Sequence, residues 1–319
     1  VPAPEVPFGA NDVLAHDERM TKGAARSLPA IPILTPPSPR PSSEPPTTTD
    51  PTTVSEQQTT ERYQLQDQLA VGPCAVVHRG WDTLLNRAVA MKRFNAGFES
   101  AVSLEVLAKL DHPNIVCAYD AIESPHPTIV MPLLDGVSLQ EVLERTPRLP
   151  AQEVRRVALC CLEALVYTHA QRIVHRDIKP ANIMVCHDGV VKLADWDLAT
   201  IVDSTPEVEM QAVPMQVAGT PAFMSPEACQ GHIGPGDDLW AVAVVMFQCI
   251  MHRLPFPRLQ DVAQGTAAEA PPLELRTEDT PLYNHLVSVV ARALKLDKAE
   301  RYETATEMLA AVAAMTAKK

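Results

Sequence analysis

The spacing of apolar side chains changes sharply near residue 60. Before it, large apolar groups are few, and a Pro-rich run, Thr35-Pro36-Pro37-Ser38-Pro39-Arg40-Pro41, passes into a Ser/Thr/Pro-rich stretch ending at Thr60. Such a segment buries too little to offset the entropy of ordering, so residues 1–62 are expected to be a disordered tail with polyproline II character. From Tyr63 onward, short apolar or alternating runs at Ala75–Val77, Arg87–Phe94 and Thr128–Leu133 predict strands. Between the last two, Val102, Val106, Leu107 and Leu110 recur at helical spacing. After Gly136 the pattern becomes helical. Residues 151–170 follow Pro150 and keep Val154, Val157, Ala158, Cys161, Leu162 and Leu165 on one side. Further helices are expected over 238–251, 282–294 and 305–315. The result is a small β-rich lobe followed by a larger helical one, with no internal repeat.

Composition narrows the function. With 319 residues and 46% hydrophobic content, the chain can build a substantial core. Its 27 Lys and Arg against 39 Asp and Glu give a net charge of −12, which leaves no basic stripe for nucleic acid. The seven cysteines are odd in number and form no C-x-x-C pair, arguing against a disulfide framework or zinc site and for a reducing, cytoplasmic setting. The most apolar stretch, Leu239 to Met251, is 13 residues long and predicts a buried helix rather than a membrane span. Val1-Pro2 lacks the basic and apolar regions of a signal peptide, and a start other than Met suits a fragment or a processed form. Of the 30 prolines, 12 lie in residues 1–62. That tail reads as a solvated spacer or, through the Pro36/Pro39 spacing and Ser38 before a proline, as a docking or phosphorylated segment.

The strongest chemical signal is His175-Arg176-Asp177-Ile178-Lys179-Pro180-Ala181-Asn182. It resembles the catalytic loop of the eukaryotic-type (Hanks-type) protein kinases, serine/threonine-specific branch. The match continues in order, through Val89-Ala90-Met91-Lys92 as the lysine strand and His112-Pro113-Asn114 after the regulatory helix. Asp195-Trp196-Asp197 stands in the magnesium loop, Ser225-Pro226-Glu227 closes the activation segment, Asp238-Leu239-Trp240 opens a large helix and Arg301 lies near the end. The resemblance covers residues 63 to about 316. It implies an α+β bilobal kinase fold, with a small antiparallel β-sheet N-lobe carrying one helix at 63–134 and a mainly helical C-lobe at 135–316.

The chemistry the resemblance implies is transfer of the γ-phosphate of ATP to protein hydroxyls, with Mg2+, or Mn2+ in its place. Such a reaction needs alignment and charge neutralisation more than covalent help. Asp177 would orient the substrate hydroxyl, Lys179 would face the transferred phosphoryl, and Lys92 would hold the α and β phosphates. Asn182 and Asp195 would supply hard oxygen ligands to the metal. Leu69 and Gly72 fall in the nucleotide lid, Val77 and Ala90 sandwich the adenine, Met131 is the gatekeeper, and Leu133 lies in the hinge with Pro132 and Leu134. The implied partners are protein substrates and docking partners of the Pro-rich tail.

The chain departs from the family pattern in three places. The lid reads Leu69-Ala70-Val71-Gly72-Pro73-Cys74-Ala75-Val76-Val77, with one of three glycines kept, so backbone N–H groups stand farther from phosphate. Ser103 stands where a glutamate pairs with the lysine. Glu105 is two residues on, about 200° around a helix, and Glu99 is one turn earlier on the same face. Asp197 replaces the glycine of the magnesium loop, adding charge beside the metal or serving as a further ligand. Trp196 is expected to pack against the regulatory helix. Gly219-Thr220-Pro221 is similar to serine/threonine-specific members, with Thr220 seating Asp177 and Lys179. Gln216 stands four residues earlier, where relatives carry a phosphothreonine, so activity is expected not to require phosphorylation there. Glu227 and Arg301 would form a buried ion pair. The alternative to an active enzyme is a pseudokinase scaffold, supported by Ser103, Asp197, Ala70 and Ala75.

Overall fold

The computed structural model describes residues 62–95, 104–123, 126–146, 148–202, 219–256 and 281–314. Residues 1–61 of the expected tail with its proline motif, Glu99, Ser103 and Gln216 lie outside these residues; Arg62, the last residue of that expected tail, belongs to the folded part.

The chain opens with five antiparallel strands: β1 (Tyr63–Val71), β2 (Ala75–Asp82), β3 (Arg87–Phe94), β4 (Asp120–Ile122) and β5 (Thr128–Pro132), ordered β1-β2-β3-β5-β4 across the sheet. The start of β1 is anchored by Arg62, whose guanidinium reaches both oxygens of the buried Asp82 at 3.0 Å and Asp120 at 3.1 Å, while the Tyr63 hydroxyl also donates to Asp120. Strand alternation sorts the two faces. Val77 pairs with Lys92, Lys92 with Ile129, and Ala90 with Met131, so these five residues share one face. On the other, Val89, Met91 and Val130 close a small core over Tyr63. Helix α1 (Leu104–Lys109), which ends one residue before the predicted end at 110, sits between β3 and β4 in the chain; its Leu107 packs against Ala75, Phe94 and Ile129.

The second lobe is helical. Strand β6 (Gly136–Ser138) leads into α2 (Leu139–Arg145), which is capped by Ser138 and Glu141 in a reciprocal capping box. Helix α3 (Ala151–Ala170) has the predicted bounds and buries the predicted side. A turn then leads to β7 (Ile173–Val174), β8 (Ile183–Cys186), β9 (Val191–Leu193) and β10 (Thr200–Ile201). Among the described residues, α4 (Pro226–Cys229) is followed by α5 (Pro235–Met251), α6 (Pro281–Ala293) and α7 (Ala305–Ala313). Helix α5 is apolar all round and buried from Asp238 to Phe247, as the run from Leu239 predicts, but it begins three residues earlier because Pro235 is suited to a first helical turn. Helices α3, α5, α6 and α7 pack into one core with β7, β8 and β9. Among the described residues no helix is long and apolar enough to cross a membrane.

Candidate active site

The loop between β7 and β8 is fixed from below by one carboxylate. Asp238, on the first turns of α5, accepts hydrogen bonds from the backbone N–H of His175 and of Arg176, both at 3.0 Å, and lies 2.8 Å from His169 Nε2. It is 1% exposed. Burial pushes its carboxyl up, but His169 and the loop amides outweigh that and hold it below the ordinary value. These bonds sustain a left-handed backbone at Arg176 (φ 72°), which a non-glycine residue adopts at a cost of about 1–2 kcal/mol. His175, wholly buried, accepts from the Asp177 N–H through Nδ1 and donates through Nε2 to the Ala194 carbonyl. The loop thereby fastens to the segment after β9.

Asp177 emerges from this base into a closed set of bonds. Its Oδ1 accepts from the Thr220 N–H at 3.0 Å and from the Thr220 hydroxyl at 2.8 Å. Its Oδ2 accepts from Lys179 Nζ at 2.6 Å and from Asn182 Nδ2 at 2.9 Å. Lys179 also donates to the Thr220 hydroxyl at 2.8 Å, so Thr220 seats both residues as the family pattern implies. Asn182 lies at the end of a 3-10 turn, Pro180–Asn182, and its amide nitrogen is committed to the Asp177 carbonyl and carboxylate. Its side-chain oxygen is left for another partner. The Ala194 N–H donates to the Asn182 carbonyl at 2.9 Å, which sets Asp195, the next residue, beside it.

Above them stands Lys92. Its backbone is held in mid-sheet between Val77 and Ile129, and its Nζ lies 2.5 Å from Asp195 Oδ1 and 2.5 Å from Asp197 Oδ2. Burial pushes the ammonium down, yet the two carboxylates outweigh it and leave its pKa raised. Burial likewise pushes the Asp195 carboxyl up, and Lys92 brings it below the ordinary value. Asp197 goes the other way: burial, with Asp195 beside it, keeps it raised despite Lys92. Two carboxylates share one cation, which leaves a net negative site with hard oxygen donors on Asp195 and Asn182. That donor set suits a divalent cation that takes one or two protein groups and completes its shell with phosphate and water. Among the described residues no group of three His, Cys, Asp or Glu side chains forms a metal cage.

Of the predicted nucleotide-binding residues, Val77, Ala90 and Met131 lie on the sheet face that carries Lys92, and Leu133 follows directly on β5. Leu69 lies in β1, 46% exposed, and Gly72 sits in the β1–β2 turn, where its N–H donates to the Ala75 carbonyl. That turn is fastened to Asn95, whose N–H donates to the Cys74 carbonyl and whose amide donates to that of Pro73. Trp196 is buried as expected. Its ring partner is His175, at 4.3 Å between centroids, while Val106 of α1 enters the same core. Glu227 and Arg301 form the expected pair, bidentate at 2.9 Å, with Arg301 almost wholly buried. The pairing of Asp197 with Lys92 and the buried role of Asp238 are what sequence reasoning missed. Two carboxylates at unusual or unassigned positions were the available signals.

A family model described as protein kinase domain matches residues 63–312. The chain is 34% identical over 266 residues to the serine/threonine-protein kinase PksC of Streptomyces coelicolor, covering 77% of this chain and 48% of that one. It is 32% identical over 269 residues to the serine/threonine-protein kinase PknB of Mycobacterium leprae, covering 79% and 42%, and 33% identical over 270 residues to PknB of Mycobacterium tuberculosis, again covering 79% and 42%. The chain thus spans less than half the length of these relatives.

Proposed function

Because the chain belongs to the protein kinase family, we propose that it is a serine/threonine protein kinase transferring the γ-phosphate of ATP to protein hydroxyls, with its catalytic domain at residues 63–316. The observation that carries this reading is the bonding of Asp177. Thr220, Lys179 and Asn182 converge on its two carboxylate oxygens, so its position is set before any substrate arrives.

Asp177 accepts a hydrogen bond from the incoming serine or threonine hydroxyl and aims its oxygen at the γ-phosphorus. As the new P–O bond forms, the bond from phosphorus to the β–γ bridging oxygen breaks. ADP leaves, and the hydroxyl proton passes toward Asp177. Lys179, already beside Asp177, faces the transferred group and offsets its charge. Lys92 holds the α and β phosphates from the sheet above. Adenine lies between Val77 and Ala90 below Leu69 and Gly72, with Met131 and Leu133 at its edge. Asn182 and Asp195 would hold Mg2+ or Mn2+, which would supply neutralisation of phosphate charge there. Protein hydroxyls are the partners, and residues 1–61 are the segment with which docking proteins engage.

Transfer of radiolabelled phosphate to generic protein substrates tests the reading, with wild type beside Asp177→Ala and Lys92→Met. Wild type labels substrate and both variants lose at least about 100-fold in rate. Magnesium-dependent thermal stabilisation by ATP accompanies it, since a ligand that binds only the folded state stabilises that state. If wild type is as silent as both variants with every substrate and divalent ion, the protein is instead a scaffold.

A further inference from the structure

We infer that Asp197 is the positioning residue for Lys92, taking over, from within the loop after β9, the ion-pairing duty that the family pattern gives to a glutamate of the regulatory helix. The inference deepens the kinase reading and rests on it. Its ground is a coincidence of two departures. The sequence places Ser103 where that glutamate is expected and puts a carboxylate where the loop normally has glycine. The structure then sets that carboxylate 2.5 Å from the lysine, across 105 positions of sequence.

The placement of Asp197 is firm. The Ala199 N–H donates to the Trp196 carbonyl at 3.0 Å, which closes a turn with Asp197 inside it. Trp196, on one side, is buried against His175, and the Leu198 carbonyl, on the other, accepts from Arg176. Asp197 is not among the residues with a positive φ, so the loop needs no glycine there and tolerates the carboxylate. The side chains of Lys92 and Asp197 are 12% and 23% exposed, a setting in which an ion pair is screened far less than at the surface.

Asp195 alone does not serve the same end. When its carboxylate is engaged elsewhere, a lysine with no second anion has nothing to hold its long, flexible stem toward the cleft. Asp197 supplies that second anchor. Because the anchor belongs to the same loop as Asp195 and not to α1, the orientation of Lys92 follows the loop rather than the helix.

Two measurements on Asp197→Asn test this. The first is the dissociation constant of ADP in the presence of EDTA, set beside the KM for ATP. Loss of the anchor weakens metal-free ADP binding about tenfold and raises KM about as much, with a smaller change in kcat. The second is a double-mutant cycle on the thermal midpoint of the nucleotide-free protein, combining Asp197→Asn with Lys92→Met. The double variant is less destabilised than the sum of the two single ones, because each removes the same contact. Unchanged or tighter ADP binding overturns the inference. So does an unchanged metal-free affinity with a raised magnesium requirement, which makes Asp197 a metal ligand. The cycle reads the pairing whether or not phosphate is transferred. Additivity in an active wild type overturns this inference alone, and coupling in a wild type inactive toward every substrate overturns the kinase reading alone.

Discussion

The floor and the roof of the cleft are built on different principles. On the floor, Asp177, Lys179, Asn182 and Thr220 interlock, and the loop that carries them hangs from the buried Asp238. In the roof, β1 is exposed from Gln64 to Val71; it is anchored at its start by Arg62 and Tyr63, paired with β2, and fastened at its turn through Asn95. Between the two stands a single cation, Lys92, shared by two carboxylates. For the proposed reaction the floor needs fixed geometry, because in-line transfer loses rate with every misplaced ångström, whereas a roof must admit and release a ligand. On that reading, rigidity is concentrated where bonds would change and withheld where a nucleotide would pass.

The largest effect should follow from breaking the floor at its root. Asp238→Ala strands two backbone N–H groups and His169 in a fully buried site, and it leaves the strained backbone of Arg176 unsupported. We expect a loss of about 4–5 kcal/mol in urea denaturation, since removing one buried charged partner uncovers the others. A change under about 1 kcal/mol would mean that the floor does not depend on this carboxylate.

Next in size is the bond that ties the segment following the cleft to the helical lobe. Glu227→Gln removes the charge that faces Arg301 and is expected to cost about 3 kcal/mol, toward the low end for a broken buried pair. Its pH dependence has a definite sign. Burial pushes the Glu227 carboxyl up, and Arg301 pulls it further down, below the ordinary value of 4.5. The folded state therefore favours the ionised form. This contribution is fully present above the unfolded value and is lost as pH falls through the lower, folded one. Wild type and Glu227→Gln should differ most near neutrality, and their stabilities should approach each other below about pH 4. A gap of constant size across that range would assign the effect to packing.

These contrasts also explain what could be read without coordinates. The meeting of Asp177, Lys179, Asn182 and Thr220 was legible because the roles that the resemblance implies demand one residue type at a fixed spacing. Helix α3 was legible because 20 residues give its periodicity room to repeat. Strands β6 to β10 are two to four residues long and carry no period to detect. The seven residues of α2 give barely two turns. The function of Asp238 was hidden for another reason. Two of its partners are backbone N–H groups, which every residue but proline possesses, so no side-chain pattern marks them. Asp197 and Lys92 meet only because β3 and the loop after β9 are stacked by the tertiary fold.

The smallest expected effect lies in the roof, and it sharpens the comparison most. Gly72→Ala adds a Cβ 3.3 Å from the Ala75 carbonyl oxygen, a contact that a shift of a few tenths of an ångström relieves. Gly72 carries no positive φ, so alanine meets no backbone penalty there. The turn keeps its bonds through Asn95, which do not involve the glycine side. Stability should stay within about 0.5 kcal/mol of wild type, and the KM for ATP should rise less than about threefold. Such a result, beside the tenfold change expected for Asp197→Asn, would place the grip on nucleotide in the lysine and its two carboxylates rather than in the lid. A rise larger than that of Asp197→Asn would reverse the assignment, because the backbone of a lid with one glycine would then be the principal phosphate contact.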